Sequence, residues 1–383
     1  MAGLYVHVPF CARACPYCDF DFQVGRHPDA AAFIATLGRE LAARKDMSPE
    51  TGVIPPGDAW PTVYLGGGTP SLLGADGLRA LAAFIAANFP GAGQSEYTVE
   101  VNPEHGDPAL FAAIAGFGGT RVSLGVQTLD PHGLAALGRV HSPTRALAAL
   151  TDARSAGLEL SADLIVGWPG QSLASLRADV TAIVDSGARH VSIYGLTIEA
   201  GTPWETLVRR GKRRLPDPEH QTDLLLAAGE ALTAAGLEHY EVASYAAPGQ
   251  RARHNLGYWT WRDYLGLGPS AHSAVYAGDG SVIRRGNRRG LGPWSADPGI
   301  AGELDPQAPL AAAAEGLWTG LRHLPGLELA AFLARFPAVD HAWIAARTLR
   351  QVARGNLELG DACLRVAPGR WLWHDSIAAD LLA

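Results

Sequence analysis

Cys11, Cys15 and Cys18 crowd one short stretch near the start of the chain, His7-Val-Pro-Phe-Cys11-Ala-Arg-Ala-Cys15-Pro-Tyr-Cys18. Three thiols so close together oblige their loop to fold around whatever they bind. Three thiolates can hold three irons of a cubane iron–sulfur cluster, and because a complete protein shell needs four cysteines, one iron stays open to an exchangeable ligand. Zinc is the competing occupant. Structural zinc sites usually take a C-x2-C pair with a second pair downstream, whereas the one further cysteine, Cys363, lies near the far end of the chain. Four cysteines in 383 residues, with Met1-Ala-Gly-Leu-Tyr leading into a strand rather than a signal peptide, read as reduced thiols and not as a disulfide framework. Cys363 reads as a small apolar core residue.

Short β-rich segments alternate with longer Ala/Leu-rich ones at helical spacing, the pattern of parallel βαβ units. Expected strands are Leu4–Phe10, Thr62–Leu65, Tyr97–Val101, Arg121–Val126, Leu160–Val166 and His190–Leu196. Expected helices are Asp29–Arg44, Ala75–Asn88, Pro108–Ala115, Pro143–Ala156 and Leu173–Ser186. Eight such units close a barrel, so six predict an α/β fold built on a partial, open (β/α)6 TIM-like barrel with its mouth at the strand C-termini. A helix over Pro218–Ala235 and a strand near His239–Ala243 extend it. Gly278 to Pro306, rich in Gly, Pro and Arg, reads as a linker or mobile loop. Beyond it, helices at Leu310–Leu321 and Val339–Arg354 and strands at Leu357–Leu359, Leu364–Val366 and Trp371–Trp373 suggest a small α+β domain of winged-helix character. The expected organisation is therefore a barrel over 1–235, an extension and linker over 236–306, and a C-terminal domain over 307–383.

Chemistry-bearing residues gather at the expected strand ends. Gly66-Gly67-Gly68-Thr69-Pro70 follows the second strand, where backbone without Cβ atoms lets a ligand approach closely. Glu100 and Asn102 end the third strand, Gln127 the fourth, and Asp163 lies in the fifth. Interior strand positions favour Val or Ile, so several polar side chains aimed at one mouth suggest a pocket for a polar cofactor.

The C-x3-C-x2-C triad resembles that of the radical S-adenosylmethionine (SAM) superfamily. Tyr5-Val-His7-Val-Pro-Phe-Cys11, Gly66-Gly-Gly-Thr-Pro-Ser71, Glu100-Val-Asn-Pro-Glu104, Gly125-Val-Gln127 with Arg139, and Asp163-Leu-Ile-Val-Gly167-Trp-Pro-Gly-Gln171 are similar to the blocks of its coproporphyrinogen-oxidase-like family. The resemblance implies a 4Fe-4S cluster on Cys11, Cys15 and Cys18, with SAM chelating the open iron. It implies SAM contacts from Tyr5, Gly67, Gly68, Thr69, Glu100, Gln127, Arg139 and Asp163, with Arg139 pairing the methionyl carboxylate. Tyr17 would flank the cluster, and Thr197 at the sixth strand would complete the contacts.

That family divides into an enzyme and a carrier. The oxygen-independent coproporphyrinogen III oxidases carry an arm before the first strand and a fourth cysteine two positions after the third; here the first strand begins near Leu4 and Phe20 occupies that position. Both oxidase features are missing, which argues against decarboxylation of coproporphyrinogen. The HemW-type heme chaperones are marked by H-N-x-x-Y-W, present as His254-Asn255-Leu-Gly-Tyr258-Trp259. An imidazole beside aromatic rings suits a porphyrin, the nitrogen reaching iron while rings stack on the macrocycle. The bland alternative is a buried aromatic cluster whose histidine is satisfied by hydrogen bonds. The chaperone resemblance implies heme as cargo and respiratory or storage hemoproteins as acceptors.

Charge narrows the partners further. A net charge of −7 gives no global field for nucleic acid. The runs Arg209-Arg210-Gly-Lys212-Arg213-Arg214 and Arg284-Arg285 with Arg288-Arg289 read as solvated loops, and alternatively as contacts for propionates or for peripheral association with a membrane surface. No apolar stretch of bilayer-spanning length is expected, and the expected location is cytoplasmic. Whether the chain works alone or as a homodimer is open at this level.

Overall fold

The computed structural model describes residues 1–57, 59–214 and 217–382; Ala383, where the expected C-terminal domain ends, lies outside them. Six parallel strands, β1 (Gly3–Val8), β2 (Thr62–Gly67), β3 (Glu96–Val101), β4 (Arg121–Gln127), β5 (Glu159–Val166) and β6 (His190–Gly195), stand side by side in chain order. Between them run α1 (Ala30–Lys45), α2 (Gly74–Asn88), α3 (Pro108–Gly116), α4 (Pro143–Ser155) and α5 (Leu173–Asp185). Their starts are written locally. Asp107 and Ser142 each precede a proline at the first helical position, and their side chains accept from Leu110 N at 2.8 Å and Arg145 N at 3.1 Å. Asp217 does the same at His220 N, 2.7 Å, to begin α6 (Pro218–Ala234). That helix leads to β7 (Glu238–Glu241) and β8 (Ser244–Ala246), which lies antiparallel on β6.

Alternation along the strands decides what the barrel encloses. One set of positions, Leu4, Val6, Val8, Val63, Leu65, Val99, Val122, Leu124, Val126, Leu164 and Val191, is buried under the helices in a single continuous core. The alternate set is polar: Tyr64, Thr98, Glu100, Ser123, Ser161, Asp163, His190, Ser192 and Tyr194 all line one internal cavity. Barrels filled by branched aliphatic side chains have solid centres; this one is hollow.

The sheet does not stop at the barrel. A seventh parallel strand, Tyr264–Leu267 (β9), pairs along the free side of β1, followed by antiparallel β10 (His272–Tyr276), β11 (Val282–Asn287) and β12 (Ala301–Gln307), giving twelve strands in one sheet. The expectation of a linker or mobile loop over Gly278 to Pro306 is therefore incorrect. The segment is ordered by a charge pair buried on α1. All five N–H donors of Arg44 are used: Nε on Gly52 O (2.8 Å), Nη1 on Gly266 O (2.8 Å) and Glu40 (3.3 Å), Nη2 on Val53 O (2.7 Å) and Ser273 Oγ (3.0 Å). Glu40 in turn accepts from Gly268 N, Asn287 Nδ2 and Trp294 Nε1. The basic pair inside the segment is consumed as well. Arg284 pairs with Glu315 and Asp305, and Arg285 donates to Thr51 O and Gly299 O, so neither is a free surface charge.

A second core gathers Trp261, Ala274 and Val282 of the sheet extension with Leu317, Phe332, Phe336, Ile344, Leu357, Leu364 and Leu381. It is built by α8 (Pro309–Gly320), α9 (Leu329–Arg335), α10 (His341–Ala353) and α11 (His374–Leu382) around a three-stranded sheet, β13 (Leu327–Glu328), β15 (Cys363–Val366) and β14 (Leu357–Leu359) in spatial order. Trp371–Trp373 is a 3-10 turn leading into α11, not a strand, because β15 is already paired on both sides. Cys363 is half-buried on β15 rather than within the core. One described run, Pro70–Asn88, does reach the length and apolarity of a bilayer-crossing helix, contrary to expectation. It is a core helix, with Leu78, Leu81 and Ile85 fully buried.

Replacing Arg44 by Met strands Glu40 as an unpaired buried carboxylate. The expected loss is about 3–5 kcal/mol in urea unfolding, and the double replacement Glu40→Leu/Arg44→Met should cost less than the sum of the single changes.

Candidate functional site

The three thiols sit at the C-terminal mouth of the barrel, directly beyond β1. A two-residue ladder, Phe10–Cys11 against Gln23–Val24, closes the loop that carries them, and Cys18 N donates to Cys15 O across its turn. His7 fastens the loop to the barrel, its Nε2 within 2.7 Å of Asp21 O and its Nδ1 within 3.1 Å of the Tyr5 hydroxyl. All three thiols are free and half-buried. Thr69 Oγ1 lies 3.4 Å from Cys11 Sγ, and Arg139 Nη1 donates to Cys15 Sγ at 3.7 Å. Among the described residues no three such ligands stand close enough to share one metal ion. The donor set on this loop is three thiols, which suits a cubane with one open iron.

The glycine loop lies against this triad. Gly67 has φ +109°, and a Cβ there would stand 2.6 Å from the His7 ring; a Cβ on Gly68 would stand 2.8 Å from Phe10 O. Neither position accepts a side chain, which leaves the loop's backbone facing the cavity. Gly67 N donates to Glu100 Oε2 at 3.1 Å and the Tyr64 hydroxyl to Glu100 Oε1 at 2.9 Å. Ser123 Oγ donates to Asp163 Oδ2 at 3.1 Å. Burial pushes the Glu100 carboxyl up to about 7, against its bonds from Tyr64 and Gly67 and with the nearby Asp163 adding to the rise. Burial likewise lifts Asp163 to about 6. Gln127 sits at a register shift between β4 and β5 with φ +65°, a strained conformation for a residue with a side chain.

A single cavity of about 980 Å³ is lined by Cys11, Cys15, Tyr17, Cys18, Gly67, Gly68, Thr69, Glu100, Gln127, Arg139, Asp163 and Thr197, all singled out in the sequence. Tyr5 is not on its wall; the Tyr5 ring stands behind Tyr64, 6.2 Å away. Asn102, read as a strand-end polar residue, lines it too, whereas Tyr64, Ser123, Ser192 and Tyr194 line the cavity and were missed. Two-residue alternation could have found Tyr64 and Ser123, which precede Gly66 and Gly125 on the same strand faces.

His254-Asn255-x-x-Tyr258-Trp259 lies at the opposite end. It forms a short helix, α7 (Arg253–Trp259), whose first two N–H groups, of Arg253 and His254, donate to the Glu96 carboxylate at 2.8 and 3.0 Å. Glu96 begins β3, so α7 closes the floor of the barrel while the cysteines guard its mouth. The imidazole is 3% exposed and has no spare nitrogen. Its Nδ1 is 3.0 Å from Thr62 Oγ1 and its Nε2 is 2.8 Å from the Tyr258 hydroxyl. Burial lowers its pKa to about 3, so it is neutral at ordinary pH. The expectation of an imidazole open to iron differs from this arrangement: ligation at His254 requires the Tyr258 bond to break and α7 to shift. Trp259 lies under the Arg322 guanidinium, 4.4 Å from its ring centre, and of the motif only Asn255 reaches the cavity wall.

A partial barrel carrying a free thiol triad, a glycine loop and polar strand ends at its mouth is the architecture of the radical SAM class. Residues 5–183 match the radical SAM superfamily. The heme chaperone HemW of Mycobacterium tuberculosis H37Rv is 43% identical over 282 residues, 71% of this chain and 69% of that protein. HemW of Escherichia coli K12 is 34% identical over 290 residues, 74% and 72% of the two chains. The solved structure of coproporphyrinogen III oxidase from E. coli aligns with 99% of this chain and 89% of its own at TM-score 0.81 and 20% identity, which speaks for the fold. The chain belongs to the HemW family of radical SAM proteins.

The two raised carboxyls set a pH dependence. A carboxyl held above its usual range is neutral below its pKa and charged above it, so affinity of this cavity for a cationic ligand should fall as pH drops through 7 and then 6. Between about pH 8 and 6 the ionised fraction of a group at pKa 7 falls roughly tenfold. Calorimetric titration of SAM should show a comparable weakening, and Glu100→Gln should flatten it.

Proposed function

We propose that this protein holds a 4Fe-4S cluster on Cys11, Cys15 and Cys18, binds SAM in the barrel mouth, and carries heme for delivery to acceptor hemoproteins. The observation that carries the cofactor part is the meeting of three free thiols, a backbone-lined glycine loop, Arg139, Glu100 and Asp163 on one cavity. When bound, the cluster supplies an open iron and a transferable electron. The chain's own residues do the positioning. Arg139, fixed by Asn102 and Gly125 O, presents a planar cation suited to a methionyl carboxylate. Glu100 and Asp163, once ionised, offer acceptors to the amino and ribose groups. The walls of β2 to β6 keep the site away from bulk water.

The heme part rests on the two HemW relatives, which are named as heme chaperones, and on the motif at His254. His254 is proposed as the iron ligand after release from Tyr258, with Asn255, Tyr258 and Trp259 around it. Arg209, Arg210, Lys212 and Arg214 remain exposed on the side of the cysteine loop, a cationic stretch available to an anionic membrane surface. The same reading supports a cytoplasmic location, because thiols that are to hold a cluster must stay reduced.

Three measurements test it. Anaerobic reconstitution should give cluster absorbance that Cys11→Ala abolishes; a surviving cluster would remove Cys11 from the ligand set. In heme titration His254→Ala should weaken binding, whereas Tyr258→Phe, which frees Nε2, should strengthen it; heme retention unchanged in both would remove the histidine from its role. Incubation with SAM and coproporphyrinogen III under reducing conditions should leave the porphyrinogen unchanged, and formation of protoporphyrinogen would replace the carrier reading with the oxidase one.

A further inference from the structure

Asn102 lies between the cluster thiols and Arg139 and touches the machinery of both. Its side chain makes two bonds: Arg139 Nη2 stands 2.6 Å from Oδ1, and Nδ2 stands 3.2 Å from Thr69 Oγ1. A guanidinium only donates, so the atom facing Arg139 must be the amide oxygen and the atom facing Thr69 must be the amide nitrogen. The network alone thus fixes which way the amide points. Thr69, 3% exposed, accepts from that nitrogen and has one proton left. The other atom within its reach is Cys11 Sγ at 3.4 Å. With Cys11 as a thiolate, which can only accept, the hydroxyl proton must point at sulfur.

Through Arg139 the same amide bears on a second cysteine, because Nη1 of that guanidinium donates to Cys15 Sγ. The surroundings preserve the arrangement. A Cβ on Gly125 would stand 3.3 Å from Asn102 Oδ1 and 2.9 Å from Gln127 Nε2. Asn102 is itself held by its backbone, its N–H donating to Ser71 Oγ at 3.2 Å and its carbonyl accepting from His105 N at 2.9 Å.

We propose that Asn102 is a positioning residue that orients Arg139 toward the SAM carboxylate and aims the Thr69 hydroxyl proton at Cys11, raising the reduction potential of a cluster held there. A donor on a ligating sulfur stabilises the extra negative charge of the reduced cluster, so more such donation means easier reduction. The inference rests on the cluster proposed for Cys11, Cys15 and Cys18.

Asn102→Asp separates the two duties. Its carboxylate still accepts from Arg139, but toward Thr69 it can only accept, which draws the hydroxyl proton away from sulfur. Wild type, Asn102→Asp, Thr69→Val and the double variant are reconstituted and poised at the wild-type midpoint potential, and the reduced cluster is counted by electron paramagnetic resonance. Asn102→Asp and Thr69→Val should each lower the reduced-to-oxidised ratio about tenfold, and adding Asn102→Asp to Thr69→Val should lower it much less than in wild type. An equal drop in both backgrounds would mean a bare charge effect and would overturn the proposal, as would no drop in either. Should Asn102→Asp fail to load a cluster, Thr69→Ser, which keeps the hydroxyl between the Asn102 amide and Cys11, must hold the wild-type ratio that Thr69→Val loses, and an equal loss in both overturns the proposal. For Arg139, SAM affinity by calorimetry should fall about tenfold in Asn102→Ala and change less in Asn102→Asp; wild-type affinity in Asn102→Ala refutes the positioning of Arg139. Wild-type protein that takes up no cluster would instead defeat the reading of the cysteines, an outcome seen before any variant is compared.

Discussion

Polar side chains on the inward positions of β2 to β6 are the constraint on which the rest depends. A barrel wall bearing Thr98, Glu100, Ser123, Ser161, Asp163 and Ser192 cannot collapse on itself as an aliphatic one does, since each group needs a partner or a ligand. The molecule meets this demand in layers. At the floor, Arg121 donates to Glu159 at 2.7 Å and lies 3.6 Å from Glu96, and His190 is held between Ser161 Oγ and the Tyr240 hydroxyl. Halfway up, Ser123 serves Asp163 and Tyr64 serves Glu100. At the mouth, groups such as Arg139 and the cysteines keep capacity to spare. Thr98 Oγ1 and Arg121 Nε, low on the wall, are left without a hydrogen-bond partner among the described residues, and the mouth is where the proposed cofactor would replace solvent.

How much of this could be read from the sequence depended on the range of the forces involved. The βα period was legible because its signals are local: a capping Asp or Ser, a proline at the first helical turn, and an apolar face at helical spacing. The cysteine loop, the glycine run and the strand-end carboxyls were legible because those residue types are costly in a packed interior. The segment from Gly278 to Pro306 was not, since it is ordered by Glu40 and Arg44, which lie more than two hundred positions away along the chain. Composition reported its glycines and prolines and was silent about the buried pair that they approach. Trp371–Trp373 misled for a similar reason: aromatic residues favour strands, but no open strand edge was left for them.

The histidine motif shows a subtler limit. His-Asn-x-x-Tyr-Trp contains what a porphyrin site needs and equally what a buried hydrogen-bonded cluster needs, and sequence alone weighed the two without a view of Thr62 or Glu96. Folded, the imidazole is sandwiched by its bonds, with the Tyr64 ring centre 5.4 Å from its own. Tyr64 is also the donor to Glu100. The aromatic residue beside the histidine is therefore shared with the carboxyl at the mouth, a link that no motif reports because it crosses from one strand to another.

That sharing bears on how cargo and cofactor divide the molecule. Glu96 and Glu100 lie on one strand and one face, about 13 Å apart at the rise of an extended chain. The first clamps the helix bearing His254 and the second faces the cavity beside the cysteines. The ligands proposed for these two ends would be separated by that length of strand. They would nevertheless meet the same rigid element, since β3 is paired in register on both sides by β2 and β4. On the proposed heme reading, ligation at His254 would loosen α7 from Glu96, whose carboxylate would keep its pair with Arg121. The ion pair under α7 would thus lower the cost of opening the floor, and at the mouth the cysteine loop is pinned through His7 to β1. The two ends are held by different bonds, helix N–H groups on the Glu96 carboxylate at the histidine end and the His7 imidazole on Asp21 O at the thiol end.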